Sequence, residues 1–237
     1  MKYYYDLHIH SCLSPCGDND MTPDSIAGMG ELNGLDIMAL TDHNSCKNCP
    51  AFFKAADRHG IIPIAGMELT TAEDIHIICL FGELCGAMEF NKAVEKKRVP
   101  VKNRPDIFGE QRITDDCDNI IGYEENLLIN AVNITLEEVP QTAEKFGGVC
   151  FPAHIDRQAN GLLAVLGAFP EKPCFLFAEV HDGEKTAEYA EKYGKKIITS
   201  SDAHNLWSIN ERGAYIELEC GRENAARELI NYLRGAV

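Results

Sequence analysis

The sequence predicts an α/β fold, one domain built on a parallel sheet that is either rolled into a barrel or laid out as a large open sheet. Short runs rich in β-branched and aromatic residues alternate with helical stretches along most of the chain, which is the pattern parallel βαβ units leave in a sequence. The length of 237 residues suits one domain with a sizeable core, since α/β barrels of about 200–250 residues fold as single units. No internal repeat, low-complexity run or linker divides the chain.

The first strand is read in "YYYDLHIH". A helix follows with Thr22 as N-cap and Pro23 in its first turn, where a missing N–H leaves nothing unsatisfied. "LDIMALTDH" is the second strand, and a helix from roughly Pro50 to Arg58 closes at Gly60. "IIPIAGME" and "DIHIICLFG" are the third and fourth. Residues 83–140 then break the rhythm. They are highly charged, hold at most two helices, and read as an insertion or cap over one mouth of the barrel, because long loops in compact domains are usually functional or disordered. The alternation resumes with "GGVCFPAH", "CFLFAEVHD" and "KKIITSSDAH", with the helix "GEKTAEYAEKYG" between the last two. "GAYIELE" and a helix near Arg222–Leu233 end the chain.

Acidic side chains number 37 against 22 basic ones, and the net charge of -15 would repel a phosphate backbone. Nucleic acid is therefore not the expected partner. The N-terminus "MKYYYDLHIHS" has no apolar signal region, and no segment approaches the ~18 apolar residues of a membrane span. A soluble cytoplasmic protein with reduced thiols is expected. Among the ten cysteines, Cys79, Cys150 and Cys174 lie in apolar runs and read as small core side chains.

Nearly every expected strand ends in a residue able to bind a metal: His8 and His10, Asp42 and His43, Glu68, His154, Glu179 and His181, then Asp202 and His204, with His76 near the start of the fourth. Barrel strands deliver their C-terminal ends to one face. In His8-x-His10 the period of two puts both imidazoles on the same side of an extended chain, and Asp202-x-His204 repeats that geometry. His59, at a helix C-terminus, is explained by the helix dipole instead. His181 leaves three roles open: lining the site, binding substrate or capping its strand. Imidazole with carboxylate suits zinc, manganese or iron. About nine donors exceed one tetrahedral ion, so two or three divalent ions are expected, with Glu68 placed to bridge a pair. Paired ions lower the pKa of water from 15.7 toward about 7 and clamp the oxygens of an in-line displacement. Phosphate ester hydrolysis is the matching reaction.

The ordered motifs "DLHIHS", "DNDMTP", "GLDIMALTDHN", "GMEL", "HIICLFG", "PAHID" and "SSDAH" resemble the polymerase and histidinol phosphatase (PHP) superfamily of metal-dependent phosphoesterases. The resemblance implies a distorted (β/α)7 barrel, TIM-like, with a trinuclear site. Carried over residue by residue, the first ion takes His8, His10, Glu68 and Asp202. The second shares Glu68 and adds His76 and His154; the third takes Asp18, His43 and His204. Asp18 lies eight residues after His10, where the family has about five, and is chosen over Asp20 because "DNDMTP" matches the family's "DGxxxP". The resemblance further implies a hydroxide bridging the first two ions as nucleophile, with Asp202 or a histidine such as His204 assisting proton transfer. Arg157 is the best-placed cation for the substrate phosphate. Arg104 and Arg112, in the insertion, are further candidates, the alternative being a solvated loop face.

Cys12-x3-Cys16 follows the first histidine pair and Cys46-x2-Cys49 follows His43. In adjacent loops these four sulfurs could hold a tetrahedral zinc or an iron–sulfur cluster. Two redox disulfides or plain packing thiols are the rival readings. The leading functional expectation is a phosphatase acting on a small phosphorylated metabolite. An amidohydrolase-like C–N hydrolase, a non-catalytic regulatory module and a cysteine-based sensor are the alternatives. Oligomeric state has no signature in the sequence.

Overall fold

The computed structural model describes residues 1–235. In chain order the elements are β1 (Lys2–Ile9), α1 (Pro23–Leu32), β2 (Ile37–Leu40), α2 (Cys49–Arg58), β3 (Ile62–Thr70), β4 (His76–Phe81), α3 (Leu84–Glu95), α4 (Pro105–Phe108), β5 (Arg112–Thr114), β6 (Ile120–Tyr123), α5 (Val139–Glu144), β7 (Gly148–Pro152), α6 (Leu162–Leu166), β8 (Phe177–Val180), α7 (Thr186–Tyr193), β9 (Lys196–Thr199), β10 (Tyr215–Glu217) and α8 (Arg222–Arg234).

The strands are apolar on both faces because both faces are covered. One face contributes Leu7, Ile37, Ile64, Ile78 and Phe151, together with Phe177 of β8 and Ile198 of β9, and α8 plugs it with Leu229 and Leu233. The other face, including Met38, Leu40, Met67, Ile77 and Phe81, packs against Ile26 of α1, Phe52 of α2 and Phe90 of α3. The sheet is thus curled around an interior of its own side chains, with helices outside.

Its strand order is β10-β1-β2-β3-β4-β7, and β8-β9 pair separately. A single bridge, Ile9 to Ala203, links β1 to the chain beyond β9. The expected all-parallel sheet is not what forms. β1, β2 and β3 are parallel, as are β8 and β9, but β4 runs antiparallel to both β3 and β7, and β10 antiparallel to β1. Length explains the first reversal: only residues 71–75 separate β3 from β4, whereas a parallel return needs a dozen residues or more. Asp74, at φ 66°, makes the turn, with its N–H bonded to the Thr71 carbonyl at 2.9 Å. The reversal brings the start of β4 to the end of β3, pairing His76 with Thr70.

The segment read as an insertion divides in two. α3 buries Ala87, Phe90 and Val94 and belongs to the helical layer. Residues beyond it leave that layer and form α4 and the hairpin β5–β6, which the sequence reading missed because its strands are only three and four residues long and alternate on no buried face. This excursion packs onto the loops that follow β1, β2 and β3. Arg112 N–H donates to the Cys12 carbonyl at 2.8 Å, Asn44 Nδ2 to the Leu128 carbonyl at 2.7 Å, and Val132 N–H to the Thr70 carbonyl at 2.9 Å. Gly109, at φ 95°, lies so close to Pro15 that a Cβ would stand 2.5 Å from its carbonyl oxygen. No helix among the described residues is long and apolar enough to cross a membrane.

Candidate metal centre

His8 near the end of β1 and His10 just beyond it enter the site side by side, their Nε2 atoms 3.1 Å apart. The pairing of β1 with β2 shifts register between Asp6 and Ile9, the kind of local irregularity that re-aims side chains beside functional sites. Glu68, on β3, is the hub. Its carboxylate lies 3.4 Å from His8 Nε2, 3.2 Å from His10 Nε2, 3.0 Å from His43 Nδ1, 2.8 Å from His76 Nδ1 and 3.1 Å from His154 Nε2. Asp202 Oδ1 stands 3.2 Å from both His8 and His10. The His204 ring stacks on His10 with centroids 4.2 Å apart. Three overlapping groups have donor atoms close enough to share an ion: His8, His10, Glu68 and Asp202; His43, Glu68 and His76; and His10, His43 and His204.

Partners behind the rings decide which nitrogens face inward. Glu179 Oε1 lies 2.9 Å from His8 Nδ1. A carboxylate only accepts, so His8 keeps a proton on Nδ1, and its Nε2, once a cation displaces the proton there, offers a lone pair to the cluster. The hydroxyl of Ser14 donates to Asp42 Oδ1 at 2.7 Å, leaving its oxygen to accept from His10 Nδ1 at 2.9 Å. Asp42 is held by the Ser11 N–H and hydroxyl, each at 2.7 Å. His204 Nδ1 donates to the Asp202 carbonyl at 2.8 Å. Three imidazoles are thereby set for metal binding through Nε2.

The donor set fits a divalent cation. The buried atoms His43 Nδ1, His76 Nδ1, Glu68 Oε2 and Asp202 Oδ1 have no aligned hydrogen-bond partner although they crowd together. Atoms aimed at shared space rather than at each other are what a cation would satisfy. Backbone strain sits here too, with His154 at φ 25° and Asp202 at φ 52°, each costing on the order of 1–3 kcal/mol.

Charge is distributed unevenly over the rings. Burial disfavours the imidazolium of His10, but the adjacent carboxylates of Asp202 and Glu68 outweigh it and raise the pKa to about 9. His43 is likewise opposed by burial and raised to about 9, chiefly by the charge of Glu68. Burial lowers His204 to about 3, with the neighbouring His10 adding to the effect, and burial also lowers His76 despite Glu68. Burial alone would raise Glu68, yet His76, His8 and His43 hold it well below the ordinary range. Binding a cation therefore displaces protons from His10 and His43.

Several expected site residues stand elsewhere. Asp18 is exposed and in none of the three groups; its backbone N–H donates to the His204 carbonyl at 2.8 Å. Arg157 is at the rim, its guanidinium paired with Asp202 and 3.0 Å from His181 Nδ1. Arg104 pairs with Asp106 at 2.8 Å and Arg112 with Glu110 at 2.6 Å, both within the excursion. The four sulfurs do not meet. Cys46 and Cys49 turn into the core toward the Gly66 carbonyl, Cys12 faces the Arg112 carbonyl at 3.8 Å, and Cys16 is exposed. All four are free thiols, and burial pushes Cys12 up to about 12. Asp42 and Glu179, noted at strand ends, stand behind the histidines, and Ser14 was missed because a hydroxyl four residues after His10 has no distinguishing signal.

The same fold occurs in a lesion-specific endonuclease, PfuEndoQ from Pyrococcus furiosus, at TM-score 0.67 and 20% identity, covering 100% of this chain and 57% of that one. It also occurs in a candidate metal-dependent phosphoesterase from Bifidobacterium adolescentis, at TM-score 0.61 and 17% identity over 96% and 95% of the two chains. In sequence, the chain is 32% identical over 91 residues to the error-prone DNA polymerase of Symbiobacterium thermophilum and 29% identical over 106 residues to a 5'-3' exoribonuclease of Haemophilus influenzae. These stretches are 38% and 41% of this chain but only 8% and 38% of the relatives. The expectation that net charge speaks against nucleic acid is overturned: Endonuclease Q, with 18% identity and TM-score 0.67, has been solved with a 27-mer duplex bearing an abasic lesion at its active site. Whole-chain charge does not report the field at a metal-lined mouth. The family model of the PHP domain matches residues 6–219, which contain all the clustered donors, and the chain belongs to the PHP domain family.

Proposed function

We propose that this protein is a metal-dependent phosphoesterase that hydrolyses the phosphate monoester of a small metabolite. The observation that carries the reading is the set of three donor groups that overlap pairwise at Glu68, His10 and His43, with Arg157 at the rim. His8, His10, Glu68 and Asp202 would hold one ion, Glu68, His76 and His154 with His43 alongside a second, and His43 with His204 a third. Two to three such ions of zinc, manganese or iron would supply Lewis acidity and activate water when bound.

The chain's own residues do the rest. Arg157 binds the non-bridging phosphate oxygens through its planar fork and fixes the orientation of the phosphorus. Asp202 Oδ2, facing Arg157, would hold that guanidinium toward the phosphate, and its carboxylate, kept ionised by His8 and His10, would accept a proton from the attacking water. His204, held neutral by burial, acts as donor ligand rather than acid. His181, exposed beside Arg157, contacts the leaving group. The whole chain is one domain, with residues 96–138 as a cap over the loops after β1, β2 and β3.

A second reading, cleavage of a phosphodiester in nucleic acid, is favoured by the endonuclease and exoribonuclease likenesses. The test is hydrolysis by chelator-stripped protein reloaded with zinc, manganese or iron. Substrates are p-nitrophenyl phosphate, sugar phosphates, mononucleotides, bis-p-nitrophenyl phosphate, short RNA and an abasic duplex. Metal-dependent phosphate release that is lost in His10→Ala supports the first reading. Diester cleavage without phosphate release selects the second, and hydrolysis undiminished in His10→Ala overturns the site.

A further inference from the structure

β9 pairs with β8 and not with β1, so the curled sheet does not close here by strand pairing. Beyond β9 the chain meets β1 through the bridge of Ile9 with Ala203, where His10 N–H donates to the Ala203 carbonyl at 2.9 Å. Side chains supply the rest of the seam. Leu7 N–H donates to Ser200 Oγ at 3.3 Å, and Ser201 Oγ donates to the His8 carbonyl at 3.3 Å. The segment that crosses this seam carries both Asp202 and His204.

Asp6, on β1, lies outside all three donor groups and is fully buried. Its Oδ1 accepts from the Ser201 N–H at 3.0 Å and its Oδ2 from the Asn210 N–H at 3.1 Å, so the two donors bracket residues 202–209. Burying a carboxylate is costly unless it is hydrogen-bonded, and here each oxygen is engaged by a different backbone donor. An amide could not replace it, since its NH2 would face one of the two N–H groups. Between the pinned points Asp202 stands at φ 52°, a left-handed conformation that a non-glycine residue keeps only where its surroundings over-determine it. A turn closes around it, with Ala203 N–H donating to Ser201 Oγ at 3.1 Å. In that conformation Asp202 Oδ1 reaches to 3.2 Å from both His8 and His10.

We propose that Asp6 is a positioning residue: by pinning the Ser201 and Asn210 N–H groups it holds Asp202 in its left-handed conformation, and so aims the Asp202 carboxylate at the His8, His10 and Glu68 donors. Asp6 touches neither metal nor substrate and acts through Asp202. The inference rests on the histidine cluster being a metal centre, but not on which ester is hydrolysed.

The test uses the full chain, stripped with chelator and reloaded with cobalt, with affinities read by competition against a chromophoric chelator. Asp202→Asn and His76→Ala identify the bound equivalents that depend on the first and second donor groups. Asp6→Asn should weaken the Asp202-dependent equivalent about 10–100-fold and leave the His76-dependent one unchanged. In the Asp202→Asn background, Asp6→Asn should cause no further loss, because one residue acts through the other. Ser200→Ala cuts the seam at Leu7 alone, and should leave both affinities intact. Unchanged affinity in Asp6→Asn, equal weakening of both equivalents, or a loss that adds to that of Asp202→Asn overturns the proposal. Should Asp6→Asn fail to fold, Ser201→Ala, which removes the hydroxyl closing the turn, must show the same selective and non-additive loss; without it the proposal is equally overturned. Failure of every phosphoester assay with this pattern present would overturn the proposed function alone.

Discussion

Replacing Glu179 by glutamine probes whether the histidines are oriented from behind. Glu179 is 1% exposed, and its Oε1 lies 2.9 Å from His8 Nδ1 and 3.1 Å from the His154 backbone nitrogen. Glutamine keeps a carbonyl acceptor there and loses the charge. Hydrogen bonds to charged groups contribute about 1.5–3 kcal/mol against about 0.5–1.5 kcal/mol for neutral ones. Weakening the two bonds should remove about 1–2 kcal/mol of support, and 1.4 kcal/mol is about tenfold in affinity. This is the low end of the roughly 10–100-fold typical for partners behind metal-bound histidines. A second effect opposes it. Burial disfavours the imidazolium of His8, but Glu179, Asp202 and Glu68 outweigh burial and hold its pKa well above the ordinary value. Without the Glu179 charge, the proton competes less strongly with metal. Proton competition fades at alkaline pH, so the affinity deficit of Glu179→Gln should be largest there, about tenfold, and should shrink toward neutrality. Competition with a chromophoric chelator across pH measures both trends, with circular dichroism confirming the fold. Equal affinities at alkaline pH, or a deficit that widens as pH falls, would refute the orienting role.

Three further outcomes follow from the same geometry. Ser14→Ala strips the acceptor from His10 Nδ1 and one donor from Asp42, and should lower the stability of metal-free protein to urea by about 1–3 kcal/mol; an unchanged midpoint would count against the relay. In metal-free protein, His10 and His43 titrate near 9 when folded and near 6.5 when unfolded. Their contribution is therefore complete below about pH 6.5 and lost as pH rises through about 9. His204, at about 3 when folded, contributes the opposite way: its stability is present above about pH 6.5 and lost as pH falls toward 3. The melting temperature of chelator-treated protein should accordingly peak near neutrality, and a steady rise up to pH 9 would contradict these shifts. Arg157→Lys keeps charge but loses the bidentate fork, and should raise KM for a phosphomonoester on the order of tenfold with little change in bound metal; an unchanged KM would remove Arg157 from the phosphate site.

What could be read in the sequence about the centre is local in origin. In "HIH" and "SDAH" a period of two places donors on one side of an extended backbone, and a strand end needs no knowledge of the rest of the fold to be recognised. Glu68 and His154 were legible for the same reason. His76 is different: it begins its strand, and it reaches the others only because β4 reverses against β3. The five residues between these strands already ruled out a parallel crossover, so that signal was present and not used. The hairpin β5–β6 had no such signal, since its short strands are paired only with each other and rest on loops distant in sequence.

The sequence by itself determined the chemistry: which donors exist, that there are too many for one ion, and that the chain builds α/β units around them. Tertiary structure alone decided which donors meet. Asp18 and Asp20 lie two residues apart, and no pattern of residue types says whether either reaches the histidines. Their exposure outside the donor groups belongs to the backbone path of this loop, which is set by hydrogen bonds to the Met21 and His204 carbonyls and by packing against Gly109. It likewise required the fold to place Glu179, Ser14 and Asp42 behind the rings, to disperse the four sulfurs, and to show that a chain of net charge -15 shares its architecture with enzymes of nucleic acid. Long-range packing settles such questions because a loop's conformation is selected by its neighbours, whereas strand periodicity is built into the backbone itself.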